Sequence, residues 1–275
     1  AQSSIMLRSR MSANLAMLFT ERPFLDRFHA AAEAGFTAVE ISTPEMYHHT
    51  PTEIRAAIDH NGLDCVLFNM PAGDWPGGDR GLAAVKGREK QFAESVETTC
   101  AYGEILGAPR VHCLSGISPP TPESLTLYRS SLQLALKALS PMGIDVVIEP
   151  INQRSIPGYH LRSIPQAMET IQHFKDLDSV QAPPKLLFDV FHTQIIHGDV
   201  THLLREHLGD IGHIQIAGVP DRSEPDENNE INFRYLFRVL GEDLGWTGHI
   251  GCEYVPRRGT LEGLGWLTQS GLVSG

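Results

Sequence analysis

The 275-residue chain repeats one pattern eight times: a short apolar, β-branched run, a polar turn, then a longer amphipathic segment. The short runs occupy residues 12–16, 38–42, 65–70, 110–114, 145–149, 185–190, 212–217 and 249–254. Helical patterns fill the gaps at 23–34, 51–61, 85–106, 122–139, 165–175, 200–208 and 233–244, with a final one inside 260–267. Runs such as Val-Val-Ile and Leu-Leu-Phe are continuous rather than alternating, which marks strands covered on both faces of a parallel sheet. Eight such alternations in roughly 250 residues are what a closed barrel needs. The expected fold is therefore α/β, a single-domain (β/α)8 TIM barrel over residues 11–270, with 1–10 set apart as an N-terminal extension. An open doubly wound sheet is the alternative. No Gly-rich phosphate fingerprint follows an early strand to favour it.

Helix boundaries carry their own signals. Thr50-Pro51-Thr52-Glu53 offers a capping hydroxyl, a proline at the first helical position and a glutamate three after the cap. Thr121-Pro122 repeats the first two elements, and Gly35, Gly62, Gly107 and Gly143 stand where helices should stop.

Charge and cysteine usage narrow the function classes. A formal charge of −11 repels phosphate backbones, so nucleic acid is not an expected partner. No apolar stretch is long enough to span a bilayer, and the first residues lack a signal-peptide core, so the expectation is a cytoplasmic protein without membrane contact. Cys65, Cys100, Cys113 and Cys252 form no C-x-x-C pair and read as reduced thiols, three of them in apolar runs.

In a barrel the chemistry sits at the carboxyl ends of the strands. Glu149, Asp189, Gln215 and Glu253 end the fifth to eighth apolar runs, and closure makes consecutive strands neighbours. Three carboxylates and an amide at one point would repel unless a cation sits among them. An oxygen-only set suits a hard divalent ion, Mg2+ or Mn2+. The alternative for each residue alone is a structural ion pair. His192, three after Asp189, could bond a substrate oxygen, and Arg222, in the loop after the seventh strand, could fork onto a substrate carboxylate. A histidine that only caps or supports its neighbours and a solvated arginine are the competing readings. His112 stays open between pointing into the site and pointing outward. His197, His202 and His207 are five apart, share no helix face and read as solvated positions. The Gly-rich stretch 72–81 lacks a phosphate-loop pattern and reads as a lid carrying Trp75.

The motifs SANLAMLF, FNMPAGD, RVHCLSG, IEPIN, FDVFHTQI, HIQIAGVP and GCEY are similar to those of the hydroxypyruvate isomerase family of xylose-isomerase-like barrels, from about Met11 to about Leu267. The resemblance implies metal ligation by Glu149, Asp189, Gln215 and Glu253, with Glu149 and Glu253 as the catalytic proton donor and acceptor. It implies substrate binding by His192 and Arg222, the latter matching within one position. The implied reaction converts hydroxypyruvate to tartronate semialdehyde through an enediolate; 2-oxo-tetronate is the nearest alternative substrate. A ketose 3-epimerase is disfavoured because those relatives carry His where this chain has Gln215. A DNA-cleaving barrel would want a His-rich zinc cluster and a basic groove, and a non-catalytic binding barrel would not need the glutamate pair. The expected partner is a small 2-oxo or hydroxy acid, and a homo-oligomer is left open.

Overall fold

A computed structural model describes residues 9–178, 180 and 182–268. Residues 1–8 of the expected extension, and 269 and 270 of the expected barrel, lie outside the described residues. Eight parallel strands close in sequence order: β1 (Met11–Asn14), β2 (Ala38–Ile41), β3 (Asp64–Asn69), β4 (Arg110–His112), β5 (Asp145–Ile148), β6 (Lys185–Asp189), β7 (Ile211–Ile216) and β8 (Ile250–Cys252). The pairing Met11↔Ile250, Ser12↔Gly251 and Ala13↔Cys252 joins β8 back to β1 and completes the barrel.

Main helices of the outer ring are α1 (Asp26–Glu33), α2 (Pro51–His60), α3 (Glu89–Leu106), α4 (Pro122–Leu139), α5 (Ile164–Lys175), α6 (Val190–Ile196), α7 (Val200–His207) and α8 (Phe233–Arg238). Two single turns follow, α9 (Thr260–Gly263) and α10 (Gly265–Thr268). The expected caps hold α2 and α4. The Thr50 hydroxyl accepts from the Glu53 amide while Glu53 Oε2 accepts from the Thr50 amide, and Thr121 with Ser124 makes the same reciprocal pair. Gly107 and Gly143 end helical segments with φ of 66° and 75°, the left-handed region where a side chain would be strained.

Three boundaries depart from the sequence reading. The first helix starts at Asp26, not 23, and lacks a side-chain cap. Residues 85–88 precede α3 as turns. The segment read as one helix over 233–244 widens to a π-type turn at Val239–Asp243. A helix was also missed: α6 begins directly at the end of β6, because Asp189 is both strand end and cap, its carboxylate accepting from the Phe191 amide at 2.7 Å.

Alternation along the strands sorts the core. Phe68, Val146, Ile148, Leu186 and Phe188 join the large cluster beneath the helices, whereas Leu67, Val147 and Leu187 form a separate small cluster inside the barrel. The same alternation assigns Asn14, Glu40, Asn69, His112, Glu149, Asp189, His213, Gln215 and Glu253 to the interior side, with Glu40, His112 and His213 as the register partners of Leu67, Val147 and Leu187. Gly251 makes room in that layer, since a Cβ there would lie 2.3 Å from a carboxylate oxygen of Glu40. Glu40 is fully buried and tied to three donors, so it has no free rotamer to retreat into. Gly251→Ala is expected to cost about 1–3 kcal/mol, as overpacking does. Chemical denaturation checks this, and an unchanged midpoint would show that Glu40 yields.

Candidate active site

Each interior strand end delivers one polar group to the carboxyl face of the barrel. Glu149 follows β5 directly, Asp189 closes β6, Gln215 is its register partner on β7, and Glu253 follows β8 with its amide donating to the Ile216 carbonyl. All four are buried. Arg222 reaches back over them from the loop after β7. Its backbone is left-handed, with φ of 53°, and the loop closes through the Gly218–Ser223 bridge, so the side chain turns inward instead of into solvent. Arg222 Nη2 donates to Glu253 Oε2 at 2.5 Å and to Asp189 Oδ2 at 3.1 Å, with the guanidinium carbon 4.8 Å from the Phe191 ring centre.

His192 lies beside them, its Nε2 3.6 Å from Glu149 Oε1 and 3.5 Å from Asp189 Oδ2. The Asn152 backbone amide donates to His192 Nδ1, and so does the Asn152 side-chain amide, whose own oxygen is held by the Ser155 amide at 2.8 Å. Nδ1 is thus an acceptor, and the neutral ring carries its proton on Nε2. Burial, then Arg222 and His112, hold the His192 pKa well below its ordinary value and keep the ring neutral. Arg222 Nη1 lies 3.3 Å from that Nε2. Two donors cannot bond each other. Together they present N–H groups suited to an anionic oxygen placed between them.

His112, left open by the sequence, points inward: its Nε2 is 3.6 Å from Glu149 Oε2 and has no hydrogen-bond partner among the described residues. Burial holds its pKa down at about 3, so it too is neutral. His197 Nε2 instead accepts from the Ile164 amide, and His202 is exposed on α7. These histidines do not form a metal cluster. The grouping of possible ligands found among the described residues is Glu149, Asp189 and His192.

The oxygens of this site could hold a cation in addition to Arg222. Glu149 Oε1 and Gln215 Oε1 are buried without hydrogen-bond partners. Asp189 Oδ2 and Glu253 Oε2 converge on one guanidinium nitrogen. Two unsatisfied buried oxygens beside the Glu149–Asp189–His192 group are compatible with a bound metal ion.

Comparisons with known proteins agree with the fold. A family model described as xylose isomerase-like TIM barrel matches residues 28–270. The chain belongs to that family. It is 44% identical to a 2-oxo-tetronate isomerase of Cupriavidus necator, covering 94% of this chain and 97% of that one. It is 38% identical to the hydroxypyruvate isomerase of Escherichia coli K12, covering 94% and 98%. Among solved structures, a Brucella melitensis protein described as an AP endonuclease of family 2 superposes with a TM-score of 0.87 at 40% identity, covering 94% and 98%. The chain is an isomerase of this barrel family, in the hydroxypyruvate isomerase branch.

In this isomerase the carboxylates are strongly perturbed. Burial, then Glu253 and Asp189, push the Glu149 pKa well above the ordinary carboxylate range. Burial raises Glu253 to about 8 although Arg222 opposes it, and it raises Asp189 as well. Arg222 is itself raised: burial works against its charge, but Glu253, Asp189 and Glu149 outweigh that. A raised carboxylate binds more protons folded than unfolded, so its contribution to stability is present below the unfolded pKa and is lost as pH rises through the folded one. For Glu253 that window runs from the ordinary glutamate value to about 8. Metal-free protein should therefore lose thermal stability between about pH 5 and pH 8, and less in Glu253→Gln. Scanning calorimetry across that range decides it; equal slopes in both proteins would contradict the assignment.

Sequence reasoning missed Glu40, Asn14 and Asn152. Asn14 Nδ2 donates to Glu253 Oε1 at 3.1 Å and to Glu40 Oε1 at 2.7 Å, and Asn152 sets the His192 tautomer. The signal for Glu40 was a charged residue inside the apolar run AVEIS, an anomaly wherever both faces are buried. In the 72–81 stretch Asp79 pairs with Arg88 at 2.6 Å, and Arg80 stacks 4.2 Å over Trp75.

Proposed function

We propose that the chain interconverts a short 2-oxo acid bearing an adjacent hydroxyl with its aldehyde isomer, with hydroxypyruvate and tartronate semialdehyde as the first pair. The observation that carries this is the pair of buried glutamates at the strand ends, Glu253 bonded to Arg222 and Glu149 with its Oε1 3.6 Å from His192 Nε2. Glu149, Asp189, Gln215 and Glu253 would hold the divalent ion, Mg2+ or Mn2+. When bound, the ion supplies Lewis-acid polarisation of the substrate oxygens.

The side chains then divide the work. One glutamate accepts the C3 proton and the other delivers a proton to C2, while the hydroxyl proton moves from O3 to O2, so the product is an isomer with nothing added or lost. Burial raises both carboxylates in the metal-free site and a bound cation would oppose that rise, so the two influences together set how readily each glutamate takes and returns a proton. Nε2–H of His192 and the Arg222 fork hold the substrate carboxylate or its developing oxyanion. Burial of the layer keeps water from protonating the intermediate at the wrong carbon.

A second reading keeps the chemistry and lengthens the substrate by one carbon, favoured by the 44% identity to a 2-oxo-tetronate isomerase. Cleavage of nucleic acid is disfavoured by the −11 charge and by the oxygen-rich ligand set. Steady-state turnover of hydroxypyruvate and of 2-oxo-tetronate, each with Mg2+ or Mn2+, tests the proposal. The higher kcat/KM names the substrate. Failure to turn over either, in folded and metal-loaded protein, would sink the isomerase reading of the site.

A further inference from the structure

Glu40 is fully buried, pairs in register with Leu67 of β3, and belongs to no group of candidate ligands among the described residues. Its Oε2 accepts from His213 Nε2 at 2.6 Å, which locks the carboxylate in place. Its Oε1 accepts from two amides, Asn14 Nδ2 at 2.7 Å and Gln215 Nε2 at 2.8 Å. The strand register slips between Val39 and Glu40, and Gly251 leaves the volume the carboxylate fills.

The two ends of a glutamine amide have nearly the same shape but opposite polarity, and only hydrogen-bond partners decide which end points where. A carboxylate only accepts, so it draws the Gln215 NH2 towards itself and turns Oε1 away, which is the oxygen left without a partner. Asn14 is fixed independently, since its Oδ1 accepts from the Ala16 amide at 3.0 Å, and it carries the same constraint on to Glu253. We infer that Glu40 is a positioning residue: it sets the Gln215 amide with its oxygen towards the cation-binding layer and steadies Glu253 through Asn14. The inference rests on the metal-assisted reading above.

The test is Mn2+ affinity by titration calorimetry, with the thermal midpoint of each metal-free protein beside it. Glu40→Gln should weaken Mn2+ by about 10–100-fold, the usual effect of losing a partner that orients a ligand, with little change in the metal-free midpoint. Gln215→Glu alone should also weaken it, because two carboxylates would compete for one contact. The exchanged pair, Glu40→Gln with Gln215→Glu, restores a donor facing an acceptor between positions 40 and 215, although the new amide then meets Asn14 Nδ2. It should bind Mn2+ more tightly than either single variant, a strongly non-additive cycle. Charge counting alone predicts the opposite order, with Gln215→Glu binding tighter than wild type. That result, or Glu40→Gln binding as wild type does, would overturn the inference while leaving the isomerase reading intact. Wild type without Mn2+ affinity would overturn both. Should Glu40→Gln fail to fold, the exchanged pair decides: recovery of binding supports the orienting role, and a folded pair that does not bind refutes it.

Discussion

Glu253→Gln is expected to lower kcat by about 10³-fold, within the usual span for losing a positioned acid or base. The replacement keeps the shape: its single amide oxygen still accepts from Arg222, and Asn14, which loses its acceptor on residue 253, keeps Glu40 and Ser42. The fold should therefore survive, and circular dichroism and the melting profile serve as controls. Glu149→Gln should show a loss of similar size. The two variants then separate the half-reactions. The glutamate that accepts the C3 proton is the one whose loss abolishes exchange of that proton with deuterium oxide. Loss of its partner leaves the exchange and stops product formation. Proton NMR of the substrate pool reads both. A Glu253→Gln enzyme within tenfold of wild type would remove Glu253 from the chemistry.

Arg222→Met should have the second-largest effect. The guanidinium is the counter-charge to Asp189 and Glu253, and its side chain is 19% exposed against 1% and 10% for the carboxylates. Removing one partner of such a buried group leaves the others uncompensated, at about 3 kcal/mol in metal-free protein near pH 8. Added Mn2+ should recover much of that loss by supplying another positive charge, so the difference between wild type and variant shrinks as metal is titrated in. In turnover, KM should rise about 100-fold through loss of the forked contact to the substrate carboxylate. Lysine at 222 should repair stability better than KM, because a point charge cannot donate in the same plane to two oxygens. Equal KM values for wild type and Arg222→Met would place the substrate carboxylate elsewhere.

The sequence by itself determined the barrel and the identity of its strand-end groups. Both are local properties: a buried parallel strand needs a run of apolar residues, a helix needs its 3.6 period and its caps, and eight repeats of the two fix the closure. Glu149, Asp189, Gln215 and Glu253 were legible because a polar residue that ends such a run has one favourable place to go. The missed α6 shows the limit of that reading, since Asp189 serves strand, cap and site at once and leaves no polar turn between β6 and the helix.

The tertiary structure decided which of these groups meet and through whom. Asn14 reaches Glu253 across 239 residues, Gln215 reaches Glu40 across 175, and Asn152 sets the proton on His192 across 40. Alternation along a strand says inside or outside, but not which inside groups share a height. That depends on the stagger of eight strands, including the slips beside Glu40 and Leu187. Nor does composition foretell that Arg222 adopts a left-handed backbone and turns back into the barrel instead of out to water. The reason is the range of the forces involved: backbone propensity acts over a few residues, whereas the pairing of buried charges is settled when the barrel closes and water leaves the layer between them.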